Sequence, residues 1–353
     1  MILSSYGWST HFQNHFISLK EHDLECARVL AIQGFKHILV TSHGMVEALV
    51  SGAMLNMLAP AALPKVGDWV AFKAYTGEGI ILAVLPRETE LSRRLPGKGT
   101  EKQVIASNIH GALIVQGLDG NFNLMRLQRY LVQVHQCGID PIVVLNKADL
   151  VDDPEAYRFE VEQLGYHCPV ILTSAADRQA GDSHIAGHLQ KGKTYVLLGS
   201  SGVGKSTLLN TLLGYSLQIE GETSTANHKG KHTTVFRQLV MLPSGSMIID
   251  VPGMREFGVT LDSDDANEIL HPQLSELAGD CRFDDCTHQH EPGCAVVAAV
   301  GDGSLPAQVY QSYLKLTREQ YHYQADTVDK KRKERQFGKM AKQVFAHRKT
   351  RKY

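Results

Sequence analysis

The chain has 353 residues, 43% hydrophobic and 21% charged, with a formal net charge of −1. That length suits two or three domains with real cores, and no run of about 18 uncharged apolar residues argues for a membrane span. The stretch from Met1 to Lys20 lacks the basic start and apolar centre of a secretory signal, so a cytoplasmic protein is expected.

Residues 1–32 form an N-terminal extension in which Phe12, Phe16 and Leu19 fall at helical spacing, the pattern of a packing face. From about 33 to 98 the pattern changes to short strands at 38–40, 45–50, 68–72 and 80–84, punctuated by Gly44, Gly52, Pro64, Gly67, Gly77 and Gly79. Such a series predicts a small barrel of the OB type. It carries few cations beyond Arg93, Arg94 and Lys98 at its exit, which leaves an RNA-binding role open. From 99 to 260 apolar strands alternate with helices: 109–115, a helix with Leu124, Leu127, Leu131 and Val134 on one side, 141–145, a helix near 153–164, and 170–172. This rhythm predicts a mostly parallel sheet with its ligand at the carboxyl ends of the strands.

Three of those strand ends carry chemistry. After the strand ending at Leu145 stands Asn146-Lys147-Ala148-Asp149. A carboxylate at Asp149 accepts from both the ring N–H and the exocyclic amine of guanine, whereas adenine would face it with an acceptor; an unpaired buried polar group costs about 1–3 kcal/mol. Asn146 and Lys147 would pin the loop and flank the base, and Ser174 and Ala175 end the next strand where a backbone contact to the guanine carbonyl belongs. After Tyr195-Val196-Leu197-Leu198 comes Gly199-Ser200-Ser201-Gly202-Val203-Gly204-Lys205-Ser206-Thr207, a phosphate-binding P-loop between strand and helix. Its glycines let successive N–H groups point at phosphate oxygens; Lys205 would reach the β- and γ-phosphates and Ser206 would ligate Mg²⁺. After Met247-Ile248-Ile249 comes Asp250-Val251-Pro252-Gly253, with Asp250 as the acid that holds Mg²⁺ through water and Gly253 as the N–H that meets the γ-phosphate. Between them Gly221 to Thr234 reads as a switch loop, in which Thr233 or Thr234 meets the metal and γ-phosphate, Thr234 as Mg²⁺ ligand. The position after the DxxG glycine, where a water-orienting Gln is usual, is Met254, and the nearest polar substitute is His232.

Six cysteines are present, of which Cys26, Cys137 and Cys168 are solitary. Cys281, Cys286, His288 and Cys294 offer three thiolates and an imidazole within fourteen residues, with His290 a competitor for His288; this set suits a closed, structural Zn²⁺ site in a domain spanning 261–326. The tail from 327 is basic. Between Lys330 and Tyr353 eleven Lys and Arg face the single acid Glu334, a balance of +10 that leaves −11 for the rest. A polyanionic partner and a solvated end both fit that tail.

The guanine-selecting motif precedes the P-loop by about fifty residues, the reverse of the ordinary order, and a parallel sheet can assemble the same site from permuted strands. That order, Gly230-Lys231-His232-Thr233-Thr234, Asp250 to Gly258, and the zinc pattern with Glu291-Pro292-Gly293 before its last cysteine resemble the ribosome small-subunit-dependent GTPase A (RsgA/YjeQ) family of bacterial assembly factors. The resemblance runs from about Gln33 to Leu316 and departs at His110, where the family usually has an acid. It implies a multidomain α/β chain: an N-terminal OB-fold β-barrel, a circularly permuted P-loop GTPase domain and a C-terminal zinc-binding α-helical domain. It also implies GTP hydrolysis with Lys205, Thr234 and His232 as the catalytic set and His232 orienting water. The partners it implies are the small ribosomal subunit, with 16S rRNA phosphates for the tail, and a monomer is expected. A GTP-responsive RNA-binding module with little turnover, or a GTPase serving another partner, stays open at this point.

Overall fold

A computed structural model describes residues 2–19, 23–76, 78–94, 102–174, 184–214, 237–250, 272–283, 285–307, 309–311, 313, 314 and 317. Two compact units divide at Thr260/Leu261.

The first unit opens with helices α1 (Ile2–Ser5) and α2 (Thr10–Ser18). The helical spacing of Phe12, Phe16 and Leu19 is a packing face, as expected: Phe12 is buried against Trp69 and Leu85, with Phe16 and Leu19 packed on the same cluster. Five strands follow, β1 (Glu25–Gln33), β2 (Lys36–Thr41), β3 (Gly44–Val50), β4 (Trp69–Ala74) and β5 (Gly79–Val84), with α3 (Gly52–Met57) between β3 and β4. They pair in the order β1-β2-β3-β5-β4, and a β1–β4 ladder closes the barrel. Ala27, Val29, Leu39, Ala48, Met54, Val70, Phe72 and Ile81 fill it. Gly79 leaves room for the Phe72 ring, since a Cβ there would lie 2.8 Å from it.

The barrel begins at Glu25, so the expected boundary at 33 leaves its first strand outside. That strand was hard to read because it does not alternate. It is buried continuously from Ala27 to Ala31, Arg28 included, and is bulged between Val29 and Ala31. The hairpin β6 (Glu90–Arg94) and β7 (Lys102–Ser107) then leads out of the barrel, across the boundary expected at 98.

Next come β8 (Gly111–Gly117), α4 (Leu124–Gln136), β9 (Asp140–Asn146), α5 (Pro154–Glu162), β10 (Val170–Leu172), β11 (Thr194–Leu198), α6 (Lys205–Leu213), β12 (Gln238–Met241) and β13 (Met247–Asp250). Strands β10-β9-β8-β11-β13 lie side by side and parallel, and β12 follows β13 antiparallel. Because side chains alternate across a strand, Ile114, Val143, Val196 and Ile249 enter the layer with Leu127, Leu131 and Val134 of α4. Leu113, Val144, Leu197 and Ile248 enter the other layer, with Leu208, Leu209 and Leu213 of α6. Asn123 and Asp153 cap α4 and α5, accepting from Arg126 N (2.9 Å) and Ala156 N (3.1 Å).

Two features join barrel and sheet. Ala31 of β1 pairs with Gln238 of β12. The fully buried Arg28 donates to Gly67 O (3.2 Å), Tyr6 O, Asn108 O (3.2 Å) and Thr194 Oγ1 (2.9 Å). In the second unit, α7 (Pro272–Ala278) and α8 (Ala295–Gly301) pack around Leu274, Cys294, Val296, Ala299 and Leu305.

Candidate functional site

The parallel strands β8, β9, β10, β11 and β13 deliver their carboxyl ends to one edge, and the motif loops leave from there. In the P-loop, Gly199, Gly202 and Gly204 have φ of +146°, +82° and +97°, which L side chains rarely adopt. Gly199 is packed so tightly that a Cβ would lie 2.4 Å from Val115 O. Gly204 ends the loop as N-cap of α6, and Lys205 is the first helical residue. The Lys205 ammonium donates to Gly199 O (2.8 Å) and Ser200 O (2.6 Å), curled over its own loop. Burial pushes its pKa down, and the negative charge of Asp250 opposes that. Asp250, last residue of β13, stands beside Leu197 in the ladder. Val203 is buried, while Ser201, Ser206 and Thr207 are exposed at the loop and the helix start. Ser200 Oγ is shielded from solvent and has no hydrogen-bond partner among the described residues.

The guanine-selecting loop sits on the P-loop. Asn146 Nδ2 donates to Val203 O (2.8 Å) while its Oδ1 accepts from Thr173 Oγ1 (3.0 Å). Lys147, in the left-handed region at φ 63°, sends its ammonium to Gly202 O (2.7 Å). Asp149 lies exposed in the short 3₁₀ turn 148–150, with Oδ1 accepting from Ser174 Oγ at 2.6 Å. Motifs far apart and reordered in sequence are therefore neighbours in space. Ala175, His232, Thr233, Thr234 and Gly253 lie outside the described residues.

Sequence reasoning missed one loop, the stretch after β8. Asp119 pairs with Lys147, Asn121 Nδ2 donates to Ser201 O (3.4 Å), and the Arg126 guanidinium reaches Asn121 and Gln116 Oε1 (3.3 Å). The signal was present: Asp119-Gly120-Asn121 are turn residues at a strand's carboxyl end, where ligands of parallel sheets bind. His110, by contrast, lies at the opposite end of the sheet. Its Nδ1 accepts from Thr194 N (3.2 Å), beside a cavity of about 430 Å³ that Glu88, Asp140, His188 and Lys193 also line. Burial, then Lys193 and Arg28, hold its pKa at about 4.

In the second unit Cys281, Cys286, His288 and Cys294 place one ligand atom each within 4.8 Å of one another. His288 Nδ1 lies 3.5 Å from Cys281 Sγ and 3.6 Å from Cys294 Sγ, and those two sulfurs are 3.9 Å apart. A tetrahedral Zn²⁺ with Zn–S of about 2.3 Å and Zn–N of about 2.0–2.1 Å requires edges of about 3.8 and 3.6 Å. The donor set fits. His290, the competitor, is exposed and outside the set. Two features hold the turn. Glu291 accepts from the N–H groups of Thr287, Gln289 and His290 (3.1 Å each), and Tyr310 OH donates to His288 O (2.7 Å). Cys294 is the N-cap of α8, its sulfur accepting from Val297 N at 3.4 Å. Burial pushes the Cys281 thiol up, but the N–H groups of Ala295 and Val296 and the neighbouring thiols bring it below its ordinary value.

A closed five-stranded barrel feeding a parallel sheet whose P-loop strand follows its guanine-loop strand in sequence defines an OB-type barrel with a circularly permuted P-loop GTPase domain. The family model described as RsgA GTPase matches residues 84–260. "Small ribosomal subunit biogenesis GTPase RsgA" of Opitutus terrae is 43% identical over 340 residues, covering 93% of this chain and 92% of its own length. The chain belongs to the RsgA GTPase family and is a GTPase. The crystal structure of YjeQ from Thermotoga maritima has the same fold, with a TM-score of 0.61 at 23% identity, covering 84% of this chain and 99% of that one. YloQ, described as a circularly permuted GTPase, gives 0.61 at 24%, covering 86% and 97%.

Proposed function

We propose that the protein hydrolyses GTP while bound to the assembling small ribosomal subunit, and that the subunit stimulates turnover. The observation that carries the site is the pair of hydrogen bonds from Asn146 to Val203 O and from Lys147 to Gly202 O, which seat the guanine-side loop on the P-loop. The names of relatives at about 40% identity over most of the chain support the subunit as partner.

In this reading Asp149 selects guanine, with Asn146, Lys147, Ser174 and Ala175 around the base. Gly199 to Thr207 cradle the phosphates, and Lys205 neutralises charge that develops on them. Ser206 and Thr234 would hold Mg²⁺ with Asp250 as the nearby acid, and the ion would neutralise phosphate charge; Thr233 and Gly253 would meet the γ-phosphate and His232 would orient the attacking water. Cys281, Cys286, His288 and Cys294 hold one structural Zn²⁺. The domains are the extension, a barrel from Glu25, the permuted GTPase to 260, the zinc domain from 261 to 326 and the basic tail, which contacts 16S rRNA phosphates. The protein is a cytoplasmic monomer. Among the described residues no helix is long and apolar enough to cross a membrane.

GTP turnover measured with and without purified small subunits tests the reading. Strong stimulation is expected. Tight binding without turnover favours a GTP-responsive RNA-binding module, and indifference to the subunit favours another partner.

A further inference from the structure

The loop after β8 reaches the P-loop directly through Asn121 and indirectly through Lys147, and the second link is the more instructive. Its backbone is left-handed, at φ 63° and ψ 37°, a conformation costing about 1–2 kcal/mol for a residue with a side chain. From there the ammonium bridges the Asp119 carboxylate and Gly202 O (2.7 Å), with the Lys147 and Asp119 side chains only 27% and 25% exposed. The Lys147 ammonium, with smaller help from the nearby N–H groups of Asp119 itself and Asn121, holds the Asp119 carboxyl below the usual carboxylate range. Gly117 is what admits it, because a Cβ there would lie 2.8 Å from Asp119 Oδ1 and 3.5 Å from Val203 Cα. On the same side of the P-loop, Asn121 reaches Ser201 O. Three strand ends, those of β8, β9 and β11, are thus stitched together through one carboxylate.

We propose that Asp119 is a positioning residue of the nucleotide site: it holds the Lys147 ammonium on the Gly202 carbonyl, so the guanine-side loop and the P-loop are joined before nucleotide arrives. This rests on the reading of these loops as a guanosine nucleotide site. A pocket assembled in advance loses less conformational freedom on binding, so the gain appears as affinity. Since the clamp acts where Lys147 would flank the base, it serves GDP and GTP alike. A carboxylate acting only through its charge would do the opposite. It would repel the polyphosphate, and its removal would tighten GTP more than GDP.

The test is titration of GDP and GTP into full-length wild type, Asp119→Asn, Asp119→Ala, Lys147→Ala and the Asp119→Ala/Lys147→Ala double variant. Asp119→Asn and Asp119→Ala should each weaken both nucleotides about tenfold, the scale of one charge-assisted contact. In the Lys147→Ala background, Asp119→Ala should weaken them no further. Unchanged or tighter binding by Asp119→Asn overturns the proposal. So does an Asp119→Ala effect that persists in full without Lys147, which would assign Asp119 to the fold of its turn. The isosteric Asn variant, with its nucleotide-free melting temperature recorded, separates affinity from folding. Wild type that prefers adenosine nucleotides overturns the site reading itself, a result seen before any variant is made.

Discussion

Asn146 works as a two-sided staple, and Gly204 is the residue that leaves room for it. The amide donates to Val203 O and accepts from Thr173 Oγ1, so its orientation is fixed from both sides. A Cβ at Gly204, where φ is +97°, would lie 2.2 Å from Asn146 Nδ2. At Gly202, where φ is +82°, a Cβ would meet nothing within 4 Å. The two glycines therefore separate backbone strain from collision. Gly202→Ala should destabilise the nucleotide-free protein by about 1–2 kcal/mol, the left-handed penalty alone. Gly204→Ala should cost clearly more, about 3 kcal/mol or above, because the staple must move as well. Denaturant unfolding without nucleotide checks this; equal losses would mean that the Asn146 contact is slack. The glycines and Asn146 were legible in the sequence because backbone geometry dictates their type. Asp119 was not, because one acid in a turn looks like any other until Lys147 is seen beside it.

At the scale of elements, the entry ends of β8, β11 and β13 have their own electrostatics. Arg28 is buried there among carbonyl and hydroxyl acceptors, and burial lowers its pKa to about 10 against the pull of Asp68 and Glu88. Its side chain lies on the face of β1 opposite the barrel-filling Ala27 and Val29, so both faces of that strand are buried. Nearby His110 is held neutral, its pKa at about 4 against an ordinary 6.5. The sign of the linkage follows. Between pH 6.5 and 4 the unfolded chain has taken up a proton that the folded one refuses, so stability falls as the pH is lowered through that window. Lys193 and Arg28 are the cations His110 feels, and Glu88 and Asp140 share its cavity. Replacing His110 with Gln should flatten the fall of the melting temperature between pH 7 and about 4.5. A variant with the wild-type slope would return the acid sensitivity to other groups.

For the whole molecule, what the sequence revealed was the set of strand ends, and what it withheld was their lateral order. The central place of β11 between β8 and β13 is set by which apolar strands pack together, which no local pattern encodes. The zinc centre was readable from ligand type and spacing alone, because four soft donors within fourteen residues have little else to do. The apolar cluster around Leu274, Val296 and Leu305 is small, so the metal should supply much of the second unit's stability. Purified protein should carry one Zn²⁺ per chain. Chelation should lower the unfolding temperature of this unit while GDP affinity changes by less than about twofold, as expected for two compact units whose cores are separate. A protein without stoichiometric zinc, or a chelated one that no longer holds nucleotide, would contradict this.

The rung between Ala31 and Gln238 has a mechanical consequence. Gln238 follows closely in the chain on Thr233 and Thr234, and β12 continues as a hairpin into β13 and Asp250. In the proposed reading, anything that grips the barrel therefore pulls on a ribbon that lies in the chain between the two segments assigned to the γ-phosphate. Amide hydrogen exchange at Ala31 and Gln238 would register that tension as a cargo docks.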